Sequence, residues 1–93
     1  MLVIVKSGPD TAEGNRGVSL ARDMAADIVF LQNGVYFALG GKLDGFCGTA
    51  YVLDEDSRLR GISDEALNAG ILRLDYDRLV DIMAGADKVV GMI

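Results

Sequence analysis

Any chemistry in this sequence has to begin from a short list of side chains. There is one cysteine, Cys47, and no histidine, so the strong nucleophile is a thiol and the commonest general base and metal ligand is missing. Acid–base work would fall to carboxylates, tyrosines, lysines or that thiol. The carboxylates are grouped as Asp54-Glu55-Asp56 and as Asp75 and Asp77 on either side of Tyr76. Adjacent acids in a first helical turn project in different directions, and no further ligand pattern completes a cation site. No metal and no other cofactor is expected. Lys6-Ser7-Gly8-Pro9 stands where nucleotide-binding sheets carry a glycine-rich turn, but neither G-x-G-x-x-G nor G-x-x-x-x-G-K-[ST] occurs, and it reads as an ordinary strand-to-helix turn.

Cys47 lies in Phe46-Cys47-Gly48, just ahead of an apolar run. A thiol can hold a persulfide, yet its sequence neighbours are small or apolar and bring no base to favour the thiolate. Cysteine is also among the residues most often buried. The inert, structural role is the favoured reading and a persulfide site the alternative.

The elements that would position these groups follow from five short apolar runs, at 2–5, 28–31, 49–53, 71–74 and 89–93. They are mostly continuous rather than alternating and rich in Val, Ile and Leu, as strands covered on both faces are. Between the first two, Val18, Ala21 and Ala25, with Leu20 and Met24 beside them, repeat at helical spacing. The start of that helix is open between an Asp10–Glu13 capping box and an Asn15 cap. Asn33 reads as the cap of a short, nearly all-apolar helix over 35–39, stopped by Gly40-Gly41. Asp54-Glu55-Asp56 open a helix whose end carries Arg58 and Arg60, charges that complement the helix dipole. Ser63 heads another capped turn, ending at Gly70. Asp75 caps the last helix, with Leu79, Val80, Ile82 and Met83 as its inward stripe, Asp77, Arg78 and Asp81 on the wet side, and Gly85 as its stop.

Alternating strands and helices predict a three-layer α/β/α sandwich on a mostly parallel five-stranded sheet, one domain over 1–93. Ligands of such sheets sit beyond the carboxyl ends of the strands. There the chain delivers Lys6, Ser7 and Gly8, then Gln32 and Asn33, then Asp54 and Glu55, and finally Asp75, Tyr76 and Asp77. Asn33, Asp54 and Asp75 are also what helix caps look like, and that is their first reading.

The 93 residues are 51% hydrophobic and 25% charged with a net charge of -5, a globular composition whose scattered bases argue against a nucleic-acid surface. A lone cysteine, the lack of a leader-like start and the lack of any run of membrane-spanning length predict a cytoplasmic chain that is not membrane-bound. Its high apolar content suits an oligomer.

Three stretches resemble the DsrH/TusB family of sulfur-relay subunits: Gln32-Asn33-Gly34-Val35-Tyr36 within 31–39, Asp54-Glu55-Asp56-Ser57-Arg58 within 51–61, and Leu74-Asp75-Tyr76-Asp77-Arg78-Leu79 leading into Asp87-Lys88-Val89-Val90. The resemblance runs in order along essentially the whole chain. It implies the DsrEFH-like α/β/α fold and assembly with DsrE-like and DsrF-like subunits. In such a complex, persulfide sulfur moves between cysteines toward 2-thiolation of the tRNA wobble uridine, or serves sulfur oxidation. Some DsrH members carry a cysteine in the first helix, where this chain has Gly17-Val18-Ser19-Leu20-Ala21-Arg22-Asp23-Met24, and Cys47 does not match that position. The expected role is therefore that of a non-catalytic or accessory subunit, with Gln32, Asn33, Gly34, Tyr36, Asp54, Asp75 and Tyr76 as partner or cleft residues. The rivals are a persulfide carrier acting through Cys47 and a stand-alone homo-oligomer with a regulatory or small-ligand role, for which the apolar 89–93 terminus speaks.

Overall fold

The computed structural model describes residues 1–91. Five strands, β1 (Leu2–Val5), β2 (Asp27–Phe30), β3 (Ala50–Leu53), β4 (Leu72–Leu74) and β5 (Val89–Val90), form one sheet in the order β4-β3-β2-β1-β5. Every pairing is parallel, as the continuous apolar runs predict. Of the last run, positions 92 and 93 lie outside the described residues.

The strand order decides which face each connection covers. From β1 to β4 the chain steps one way across the sheet, and right-handed crossovers then lay all the connecting segments on one face. The segments are α1 (Ala12–Asp23), a 3-10 segment (Gln32–Ala38), and, after the short α2 (Asp54–Leu59), a 3-10 turn (Asp64–Ala66). Stepping back from β4 to β5 reverses the direction and puts α3 (Tyr76–Gly85) on the other face. Two cores result. Val3, Val5, Ile28, Phe30 and Val52 face Val18, Ala21, Val35, Phe37 and Ile62, whereas Leu2, Val29, Leu53 and Leu74 face Leu79. The Phe30 and Phe37 rings stack at 5.4 Å and tie β2 to the segment that follows it.

Neither candidate cap of the first helix is used: Thr11 Oγ1 accepts the Gly14 N–H at 3.0 Å and donates to the Gly8 carbonyl at 2.7 Å. Asn15 sits inside the helix and donates to the Pro9 and Thr11 carbonyls. The buried stripe of α1 is Gly14, Gly17, Val18 and Ala21, and Ala25 lies past its end. Its N–H donates to the Arg22 carbonyl at 3.2 Å and that of Ala26 to Ala21 at 2.9 Å, the paired closure that needs a left-handed residue between them. Ala25 is that residue, at φ 50°.

In α3, Asp75 caps as expected, its carboxylate accepting the Arg78 N–H at 2.8 Å. The expected inward stripe is corrected. Leu79 is buried with Ile82 and Ala86 half-buried beside it, while Val80 and Met83 are exposed. Positions 79, 82 and 86 share one side of a helix, and 80 and 83 fall on the next. Gly85 is the last helical residue rather than a stop beyond it.

Two substitutions test this account. Ala25→Gly removes the cost of a side chain at positive φ and is expected to stabilise the fold by about 1 kcal/mol. Gly34→Ala would drive a methyl group into the Val5 carbonyl and is expected to destabilise it by about 2–3 kcal/mol. Urea unfolding of the two variants beside the wild type measures both shifts.

Candidate functional site

The Gln32-Asn33-Gly34 sequence turns the chain sharply at the carboxyl end of β2. Gln32 takes φ 49°, a conformation uncommon for a side chain of its kind and one that concentrates at functional or tightly constrained positions. The turn seats Gly34 against β1, where its N–H donates to the Lys6 carbonyl at 3.1 Å. Absence of a Cβ permits that approach. The expected cap at Asn33 is not formed. The 3-10 segment begins one residue earlier, and the Gln32 N–H at its head donates to the Asp56 carboxylate at 2.7 Å. An acid from α2 thus fills the place that a local cap would have taken.

Asn33 serves the same junction from the other direction. Arg60 donates through Nε to Asn33 Oδ1 at 3.1 Å and through a terminal nitrogen to the Asp56 carbonyl at 3.1 Å. Tyr76 joins this corner from α3. Its phenol is raised above the usual tyrosine range, first by partial loss of hydration and then by the Glu55 and Asp56 carboxylates. Tyr36 and Tyr76 are both exposed, whereas Asp75 is spent on its helix cap.

Asp54 is not a cap either. It lies inside the first turn of α2, with Leu53 at the cap position, and its two oxygens are divided between Arg58 at 2.9 Å and Arg73 at 3.0 Å. These contacts, the Arg58 hydrogen bond foremost, hold its carboxyl below the usual carboxylate range against the opposing effect of burial. Arg73 also donates to Asp64 at 2.6 Å, to the Ile62 carbonyl at 3.0 Å and to the hydroxyl of fully buried Ser57. Arg73 has no place among the residues singled out from the sequence, and Asp56 and Arg60 figure there only as charges at the two ends of a helix. A charge inside the run Ile71-Leu72-Arg73-Leu74 was the available signal for Arg73, because a strand tolerates such a charge only where partners meet it. Ser63, read as the head of a capped turn, makes no side-chain capping bond.

Cys47 stands apart from all of this, at the amino end of β3 and thus across the sheet from the carboxyl corner. The burial expected of this cysteine is corrected: the thiol is exposed, its Sγ 3.7 Å from the Gly45 carbonyl. The glycine-rich loop that carries it is held by Arg22 of α1. Arg22 donates to the Lys42 and Asp44 carbonyls at 3.1 and 3.2 Å and covers the Phe46 ring at 5.9 Å. A shallow pocket of about 190 Å³ opens beside the loop, lined by Leu43, Phe46, Gly48, Ala50, Asn68 and Ile71. Among the described residues no three acidic, histidine or cysteine side chains gather as a metal would require, and no helix is long and apolar enough to cross a membrane.

A family profile described as DsrH like protein matches residues 15–89, most of the chain, from within α1 to the start of β5. The chain belongs to the DsrH-like family. Among curated proteins, none matches it. The DsrH-like fold is shared with the crystal structure of the ychN protein from E. coli, at a TM-score of 0.83 and 18% identity over 98% of this chain and 97% of that one. It is shared as well with the solution NMR structure of protein Tm0979 from Thermotoga maritima, at a TM-score of 0.65 and 26% identity over 95% and 97% of the two chains. Membership makes this DsrH-like chain a sulfur-relay related protein.

Two outcomes test the Asp54–Arg73 cluster. Arg73→Met takes the donor from the Ser57 hydroxyl oxygen and from one Asp54 oxygen and is expected to cost about 1–2 kcal/mol in urea unfolding. A carboxyl whose folded pKa is depressed adds stability that is complete above its unfolded value of about 3.9 and is lost as pH falls through the lower folded value. Stability of the wild type should therefore fall below about pH 4 more steeply than that of Asp54→Asn, as denaturation midpoints across pH 2 to 6 would record.

Proposed function

We propose that the chain is a non-catalytic or accessory subunit of a sulfur-relay complex, assembling with DsrE-like and DsrF-like subunits in a pathway of tRNA wobble-uridine 2-thiolation or of sulfur oxidation. The observation that carries this reading is the family membership of a chain whose first helix, Ala12–Asp23, has no cysteine. At the carboxyl corner Asp54, Asp56, Asn33 and Asp75 are each held by a named partner within the fold, which suits residues that build a surface more than residues that exchange protons. In this reading Gln32, Asn33 and Gly34 shape the junction, and Tyr36 and Tyr76 are the aromatic groups it offers to a neighbour.

A second reading is favoured by one specific observation, the exposure of Cys47. As a carrier, the Cys47 thiolate would attack the outer sulfur of a donor persulfide. The new S–S bond forms as the donor's breaks, and the donor leaves as a thiolate with no change in the total number of electrons.

Co-expression with the DsrE-like and DsrF-like subunits of the same genome is expected to yield a mixed oligomer by sedimentation, and a strict monomer in their presence would overturn the leading reading. Incubation with a cysteine desulfurase and cysteine, followed by intact-mass measurement, is expected to leave Cys47 unmodified. A gain of one sulfur atom, absent from Cys47→Ser, would transfer the role to the carrier reading.

A further inference from the structure

Among the described residues a single helix, α3, is left to cover one face of a five-stranded sheet. With strands about 4.8 Å apart, the outer two are separated by about 19 Å, whereas a helix with its side chains is about 10 Å across. The shortfall is visible in the side chains. Tyr76, Val80 and Met83, at i, i+4 and i+7, form a second apolar stripe on α3 that is 54%, 62% and 37% exposed. On the same side of the sheet Leu72 of edge strand β4 is 49% exposed, in register with half-buried Tyr51 of β3. A run of apolar groups of this kind on a small chain marks a contact surface.

The charges around the stripe say what fits it. Along α3 its outer side is flanked by exposed Asp77. At its start stand Asp75 and the Glu55 and Asp56 carboxylates, which act on the Tyr76 phenol. The arginines near its start are paired within the fold, Arg58 and Arg73 to Asp54 and Arg60 to Asn33 and the Asp56 carbonyl, while Arg78 falls on the opposite side of the helix from Val80 by its position and Lys88 lies beyond the helix end. The surface is an apolar stripe with an acidic rim. A second copy would set one acidic rim against another, which opposes association, whereas a basic rim on the other side complements it.

We infer that the α3 face is the docking surface for a different protein subunit, one presenting an apolar patch rimmed by lysine and arginine. The inference rests on the sulfur-relay assembly proposed above and assigns the face and the polarity of its contact.

The test is co-expression with the DsrE-like and DsrF-like subunits, followed by sedimentation of the purified complex. The double substitution Val80→Glu with Met83→Glu alters only exposed positions, and an unchanged thermal melt of the isolated chain would verify its fold. It is expected to weaken assembly at least roughly tenfold. Glu55→Lys with Asp77→Lys, both at exposed positions, should weaken it by a similar factor, and rising salt should loosen the wild-type complex. Leu59→Glu, at an exposed position of α2 outside the stripe, should assemble as the wild type does. Undiminished assembly of the Val80/Met83 variant would overturn the assignment of the face while leaving the assembly reading intact. Failure of the wild-type chain to bind either subunit would overturn both. A homodimer of the isolated chain that the same variant dissolves would show the occupant to be a second copy and overturn the assignment of a different partner.

Discussion

A right-handed crossover can place its connecting segment on only one face of a parallel sheet for a given direction of travel, and almost every feature of this protein descends from that constraint. While the chain advances from β1 to β4, its connections accumulate on one side and build the larger core around Phe30, Val35 and Phe37. The reversal toward β5 sends α3 alone to the other side. The same path brings the ends of β2, β3 and β4 together at one corner, so that the turn after β2 meets the helix after β3. Asp56 and Arg60 reach Gln32 and Asn33 across more than twenty positions of sequence because neighbouring strands deliver them there.

What the sequence made legible was whatever depends on local pattern. Continuous Val, Ile and Leu runs announce strands buried on both faces, and the spacing of the segments between them announces crossovers, so the layered parallel fold follows. The Asp75 cap is equally local, since acceptor and donor lie three residues apart. Asn33 and Asp54 carry the same cap-like appearance, yet both are claimed by arginines that tertiary structure brings close, and proximity along the chain cannot foresee such competition. Ala25 reads as part of the helical stripe because alanine favours helices, but the chain needed a left-handed residue there in order to enter β2. Cys47 illustrates the converse. Its type predicts burial, while the glycine-rich loop around it, pinned by Arg22, holds the thiol in water.

The carboxyl corner also shows how a cluster of polar residues can be constructive rather than reactive. An acid available for chemistry needs an unclaimed oxygen and an environment that tunes its proton affinity toward the working pH. Asp54 has both oxygens engaged and is driven the opposite way, toward stronger acidity, by its arginines. The outward-facing groups there are Tyr36 and Tyr76, aromatic side chains that supply contact area with little conformational freedom to lose.

Arg73 has a bearing on how the protein survives as an isolated fold. Strand β4 is three residues long and forms the edge of the sheet; were it to peel away, β3, with the apolar sequence Ala-Tyr-Val-Leu, would become the edge. A bare apolar strand is a template for pairing with other chains. By bonding at once to Asp54, Ser57, Ile62 and Asp64, one guanidinium fastens that short strand to α2 and the chain after it. Peeling then requires the whole unit to open together rather than the strand to fray alone. The charge in the middle of β4 is thereby a guard against aggregation, set one strand outside the segment it protects.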